Sequence, residues 1–308
     1  MALELVNRPG RGRRRRRLDY THGAVRRILL ALIVSSAAAA AERPVDPTFL
    51  HRQLDEVAIG PSAESTESCR YRPLFGDGDP QAYLPKGVAR FGELIVDPDG
   101  RCRELAPDSE EQIYYVLEGE GAVVYRGRPT PVRPGDFMYF APGVKRFASN
   151  PSDTPLRLLL MSYHMPSDVE HGAPVKLPIA NEEEAELQVV GNHPPSTQYR
   201  LLLGDVTSKR DLLATAQVVT SLFVMEFAPG GTNHPHHHLR DEEIYILLEG
   251  RGEMVAGGGA DGVEGRHAAE PGDAYYFRPN ATVGFYSDPA PDSPKAKILA
   301  VRSRFPGL

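Results

Sequence analysis

Cysteine is scarce in this chain: Cys69 and Cys102 are the only two among 308 residues, and neither lies in a CxxC pair or beside a histidine. That excludes a thiolate metal site, a redox CxxC and a fold stapled by many disulfides. An oxidising compartment would permit one bond between the two, and two separately buried thiols are the alternative. Long apolar runs are also missing. The best candidate, "ILLALIVSSAAAAA" (28–41), is too short for a comfortable bilayer span. Basic residues are scarce as well, but unevenly so. Residues 1–41 hold nine arginines against Glu4 and Asp19, a local balance of +7, so the rest of a chain of net charge −6 carries −13. So acidic a body argues against nucleic-acid binding, which needs a basic surface to replace phosphate counterions.

What the N-terminus does have is an ordered series: the basic run "RGRRRRR", an apolar stretch, then alanines that offer an A-x-A cleavage site. This is the anatomy of a secretory signal peptide. Residues 1–41 are therefore expected to be removed, with the mature chain beginning near Glu42 in the periplasm or outside the cell and keeping no stable membrane span. Arg26 and Arg27 ahead of the apolar residues also loosely resemble a twin-arginine signal. The chain as a whole is 41% hydrophobic and 25% charged, enough to bury a sizeable core, and its length suggests roughly two domains. Its 29 glycines and 28 prolines, spread without a short period, favour many turns between short strands. The expected fold class is all-β.

The second half repeats the first. "EEQIYYVLEGEG" (110–121) aligns without gaps on "DEEIYILLEGRG" (241–252), and "RPGDFMYFAPG" (133–143) aligns on "EPGDAYYFRPN" (270–280) after a longer hairpin loop in the second copy. The lead-ins "RYRPLFGD" (70–77) and "QYRLLLGD" (198–205) agree as well. A module of about 130 residues is thus duplicated. The runs "IYYVLEGEG" and "IYILLEGRG" are apolar at successive positions, so both faces of these strands should be covered. Between the copies lies a charged, proline-rich stretch that reads as a linker.

Within the second copy, "NHPHHHLRDEE" (233–243) places four of ten histidines in five positions. Residues two apart on a strand share a face, so His236 and His238 can point inward while His237 points out. Glu243, across a turn, can close the set. Two imidazoles and a carboxylate on one side of an ion leave positions open, a donor set that suits Fe and is permissive of Mn or Zn. Gly230, His236, His238, Glu243 and Gly250 also fit G(x)5HxH(x)3-4E(x)6G, the first motif of the cupin family. The chain therefore resembles a bicupin, two tandem jelly-roll barrels joined by a linker. The expected organisation is a signal peptide (1–41), an N-terminal arm (42–69), a first barrel (70–165), a linker (166–197) and a second barrel (198–308).

The resemblance implies one divalent transition metal per chain, held by His236, His238 and Glu243. The family's second motif would supply a fourth ligand, a histidine, but counting from Gly272 reaches Val283 there. His234 has the strand parity to substitute. In the first barrel Leu105, Pro107 and Gln112 occupy the ligand positions and Arg146 the fourth, so that barrel is expected to bind no metal. Cupins of this kind include dioxygenases, decarboxylases, isomerases and aminohydrolases as well as binding proteins. The implied role is a metalloenzyme acting on a small oxygenated or carboxylate-bearing molecule, with a non-catalytic small-molecule or metal-binding protein as the alternative. Tyr245, on the same strand face as Glu243, and Arg278 are the candidate substrate-binding residues. A small-molecule ligand, no nucleic acid and room for a homo-oligomer complete the expectation.

Overall fold

The computed structural model describes residues 46–169, 172–259 and 263–307. The expected signal segment lies outside them. The described residues form twenty strands with short 3-10 turns and no α-helix, so no described helix could cross a membrane. Two jelly-roll barrels follow one another, each built from one large, mainly antiparallel sheet and one three-stranded antiparallel sheet. In the second barrel the large sheet runs Asp273–Phe277, Asp241–Glu249, Ala296–Arg304, Val219–Phe227, Thr197–Asp205. The first barrel repeats this order with Asp136–Phe140, Glu110–Glu118, Leu156–His164, Val88–Val96 and Cys69–Gly76. The isolated bridges Leu105↔Arg146 and His236↔Val283 also match, which fixes the register of the repeat down to single residues.

The expected arm and linker prove to be more than connections. Phe49–Gln53, which precedes the first barrel, pairs with Asp273–Phe277 of the second. Ile179–Asn181, which precedes the second, pairs with Asp136–Phe140 of the first. A 3-10 turn follows each, Leu54–Glu56 and Glu182–Glu184, and in both the preceding side chain caps the turn. The duplicated unit therefore extends upstream of the visible repeat, and each copy gives its leading strand to the other barrel. The reason is the receiving strand. Both Asp136–Phe140 and Asp273–Phe277 are buried at every position, and a buried strand with an open edge would leave backbone N–H and C=O groups unpaired.

The Asp241–Glu249 strand shows how one sequence serves two surfaces. Ile244 and Ile246 join a core cluster containing residues of both barrels, whereas Tyr245 and Leu247 belong to the interior of the second barrel alone. Glu242 faces the other barrel too. Its carboxylate accepts the N–H groups of Gly87 (2.8 Å) and Lys86 (3.2 Å) and the hydroxyl of Tyr276 (2.9 Å). Its repeat counterpart Glu111 accepts the N–H groups of Gln217 (2.7 Å), Val218 (3.0 Å) and Val219 (2.8 Å) and the hydroxyl of Tyr139 (3.1 Å). Gly87 is required by this contact, because a Cβ there would stand 2.5 Å from Glu242 Oε1. Each barrel thus inserts one buried carboxylate into a cradle of backbone donors in its neighbour.

Cys69 and Cys102 are bonded, which settles the alternative left open by the sequence. The bond ties the first strand of the first barrel to the loop ahead of Glu110–Glu118. Closing a loop of this length stabilises the fold by roughly 3–4 kcal/mol in the chain-entropy account.

Removing the Glu242 carboxylate would leave the buried Gly87 N–H and the part-buried Lys86 N–H without their acceptor and the Tyr276 hydroxyl with only the Leu84 carbonyl at 3.4 Å, at about 1–3 kcal/mol per unsatisfied group. Glu242→Ala and Glu111→Ala are each expected to lower the urea-unfolding free energy by about 3 kcal/mol or more, while the exposed Glu253→Ala changes it by less than about 0.5 kcal/mol. Burial raises the pKa of both carboxyls above the ordinary glutamate value, so between the unfolded and folded values the folded protein binds this proton more tightly than the unfolded chain does. This contribution is complete below the unfolded value and fades as the pH rises through the folded one. The Glu242→Ala deficit should accordingly be larger near pH 4.5 than at pH 8. A loss below 1 kcal/mol at both pH values would show that the carboxylate does not hold the barrels together.

Candidate metal centre

His236 and His238 sit in the loop between Val219–Phe227 and Asp241–Glu249 rather than on a regular strand. Backbone bonds fix the loop nonetheless. His236 and Val283 exchange both N–H···O bonds, at 2.9 and 2.8 Å, and Asn280 donates its N–H to the His238 carbonyl at 2.7 Å. The buried Asn233 accepts the Phe285 N–H (2.8 Å) and donates to the Tyr245 hydroxyl (3.2 Å), tying the start of the loop to the barrel interior. With the loop so held, His236 and His238 face the cavity and His237 is exposed, as strand parity predicts.

One ligand atom from each of His236, His238 and Glu243 lies within 4.8 Å of the others, and among the described residues this is the cluster of three or more potential metal ligands that forms. The atoms suit a cation. His238 Nε2 and Glu243 Oε2 are 3.2 Å apart, but both are buried without a hydrogen-bond partner, because the pair is not aligned as a hydrogen bond. Two orphaned donor atoms side by side are what a shared divalent ion would satisfy. His236 is oriented for the same purpose: its Nδ1 lies 2.8 Å from the His234 carbonyl, which takes the ring proton and leaves Nε2 free. Burial lowers the His236 pKa, favouring the neutral imidazole a metal needs. Burial alone would raise Glu243, but His238, Arg302 and His236 together hold it below its usual value, as a carboxylate. The residues present therefore fit a divalent metal.

These groups line a cavity of about 220 Å³ together with Tyr199, Phe223, Tyr245, Arg210 and Arg302. Tyr245, a candidate from the sequence, is thus placed on the same cavity as His236, His238 and Glu243. Arg278 is not: its guanidinium points to the Pro47 carbonyl (3.4 Å), and it is absent from the cavity wall. Its strand is covered by the exchanged Phe49–Gln53, which the sequence did not reveal. The cationic groups at the cavity are instead Arg302, whose Nη1 lies 3.2 Å from His238 Nδ1, and Arg210, whose Nη2 donates to Ser221 (3.0 Å). Arg302 Nε is buried and lacks a partner. The sequence did carry a signal for it. Ala296, Ile298 and Ala300 form the inward face of their strand, and Arg302 continues that alternation with a charge. His234 is exposed and outside the cluster, so its contribution is the backbone carbonyl and not a fourth imidazole.

The same region of the first barrel holds a different polar network. Arg146, opposite Leu105, donates to Gln112, and Gln112 donates to Ser162 (3.0 Å). Arg90 is paired with Glu64 (2.5 Å) and Glu110 (2.6 Å). Arg90 faces Ser162 across its sheet, as Ser221 faces Arg302 in the second barrel, so arginine and serine have exchanged places. In the first barrel the guanidinium meets buried carboxylates; in the second it meets the histidine cluster.

The family model for the cupin domain matches this chain twice, at residues 92–163 and 223–288. Two tandem cupin barrels make up the fold. The chain is 33% identical over 91 residues to germin-like protein 8-2 of Oryza sativa subsp. japonica, a match covering 29% of the chain and 40% of that protein. It therefore spans less than half of that relative. Among solved structures it is similar to a putative glyoxylate-induced protein from Pseudomonas aeruginosa (TM-score 0.65, 15% identity, 87% of this chain and 92% of that one). It is also similar to Streptomyces albus HEPD, solved with 2-hydroxyethylphosphonate and Fe(II) (0.62, 12%, 85% and 77%). A third is Bacillus subtilis oxalate decarboxylase, studied for its Mn(II) centres (0.59, 12%, 85% and 78%). At these identities the likeness establishes the architecture.

The asymmetry between the barrels predicts one specific metal site per chain in calorimetric titration with Mn(II). His238→Ala should weaken binding more than the ~10- to 100-fold typical of an outer-sphere partner, and His237→Ala should leave it unchanged. Equal losses in the two variants would mean that the loop picks up metal without the cluster.

Proposed function

We propose that this protein is an exported, metal-dependent bicupin enzyme that acts on a small carboxylate-bearing or oxygenated molecule in its second barrel. The observation that carries this reading is the convergence of His236, His238 and Glu243 with two arginines and a tyrosine on one small cavity. Its volume of about 220 Å³ lies below the ~300 Å³ at which sites for drug-sized ligands begin, so the ligand is a molecule of few heavy atoms. Arg302 and Arg210 supply planar donor forks for an anionic group. Tyr199 and Phe223 form apolar wall, which limits water and strengthens the polar contacts made inside. Burial holds the Tyr245 hydroxyl well above its usual pKa, so it stays protonated and able to donate to a substrate oxygen. A bound Mn, Fe or Zn ion would supply Lewis-acid polarisation or, for iron, dioxygen chemistry.

Export is supported by the order of basic, apolar and alanine segments at the N-terminus, together with the Cys69–Cys102 bond, which persists in oxidising compartments. Protein recovered from outside the cytoplasm should have a mass corresponding to cleavage near Ala41 and should contain no titratable thiol. Soluble cytoplasmic protein starting at Met1 with two free thiols would refute export.

Turnover is tested by incubating the Mn(II)- or Fe(II)-loaded protein, in air, with a panel of small mono- and dicarboxylic acids and following products by NMR. At least one acid should be consumed, and His236→Ala should abolish the reaction. Arg302→Ala should weaken binding of that acid by about 10- to 100-fold, the equivalent of losing a charge-assisted hydrogen bond. Acids that bind and are recovered unchanged would instead indicate a non-catalytic binding protein.

A further inference from the structure

The second cupin motif leaves the ligand set one residue short, and the barrel itself cannot repair it. Val283, at the position of the expected histidine, is buried and bonded through its backbone to His236. No rotation of an aliphatic side chain there produces a donor. Above the cavity, however, the segment 189–196 crosses from Leu187–Gln188 to Thr197–Asp205. Val190 of this segment packs on the interior cluster of the second barrel, and both Val190 and His193 line the cavity. The His193 N–H bonds to the Val190 carbonyl (3.2 Å), so the packed valine fixes the place of the histidine.

The spacing of the rings is informative. His236 and His238 have ring centres 5.0 Å apart, and His193 lies 5.5 Å from His236. Imidazoles bound to one ion through nitrogens at ~2.1 Å have ring centres roughly 5 Å apart when they occupy neighbouring positions. His193 therefore stands next to His236 much as His238 does. It is not in the cluster whose ligand atoms lie within 4.8 Å of one another, so joining it requires a shift of the side chain or its segment. From this placement, and resting on the metal reading above, we infer that His193 is the fourth protein ligand, supplied from the segment between the barrels and not from either cupin motif. Such a ligand lies at the mouth of the cavity. Coordination by His193 would tie the segment 189–196 to the second barrel beyond the packing of Val190.

The test uses the full mature chain and Mn(II) as the probe. Affinity is measured by competition titration, and pulsed EPR counts the histidine nitrogens coupled to the bound ion. Wild type should show three nitrogens and His193→Ala two, with Mn(II) affinity reduced at least about tenfold. His234→Ala and His237→Ala should keep three nitrogens and wild-type affinity. His193 is half-exposed, and an unchanged melting temperature without added metal will show that its variant is folded. A His193→Ala protein with wild-type affinity and nitrogen count overturns the inference. Wild type without specific Mn(II) binding, or His238→Ala indistinguishable from wild type, overturns the metal site itself and with it the proposed function.

Discussion

The double burial of the Asp241–Glu249 strand is the constraint on which the rest depends. Side chains alternate along a strand, so neighbouring glutamates are sent to opposite destinies. Glu242 enters the other barrel and is held by its backbone amides; Glu243 enters the cavity and is held as a carboxylate by the charges around it. Neither could be exposed, and neither is tolerable unpaired in an apolar setting. A one-residue slip of this strand would exchange them and put isoleucines in the cavity and tyrosine between the barrels. The junction between barrels and the candidate metal centre thus share one register.

The two barrels solve the problem of a polar interior differently. In the first, Glu64 arrives from the segment ahead of the barrel and, with Glu110, neutralises Arg90, while Gln112 takes up Arg146. Its buried carboxylates are paired with arginine, and Leu105, Pro107 and Gln112 stand at the ligand positions, which leaves no donor set for a cation there. In the second, the arginine is on the neighbouring strand, its Nε is unpartnered, and Glu243 and His238 have buried atoms without hydrogen-bond partners. An unsatisfied buried group costs stability in an ordinary core, and those of His238, Glu243 and Arg302 meet at one cavity. Among the described residues the candidate cluster of metal-ligating side chains forms in the second barrel and not in the first.

Much of this was legible in the sequence. Gapless similarity between 110–121 and 241–252 gave away the duplication, and the spacing of His236, His238 and Glu243 gave the cluster, because these signals are local and strand geometry is regular. The exchanged strands Phe49–Gln53 and Ile179–Asn181 were hidden, since they share a structural role with hardly any residue identity. What they must provide is an edge of backbone hydrogen bonds, which many sequences can supply. The Cys69–Cys102 bond was undecided because spacing alone does not bring two cysteines together. Arg278 was misplaced for a related reason: its strand end is covered by a segment more than two hundred residues away in sequence. His193 and Arg302 were missed because they reach the cavity from a linker and from the last strand, far from either motif.

The central claim is that one barrel holds one ion between His236, His238 and Glu243. Anomalous diffraction from crystals of the mature protein grown with Mn(II) tests this most directly. The account predicts a single strong anomalous peak per chain within coordination distance of these three side chains, and none inside the first barrel. A peak held by His234 and His237 on the loop surface, or equal peaks in both barrels, would contradict it.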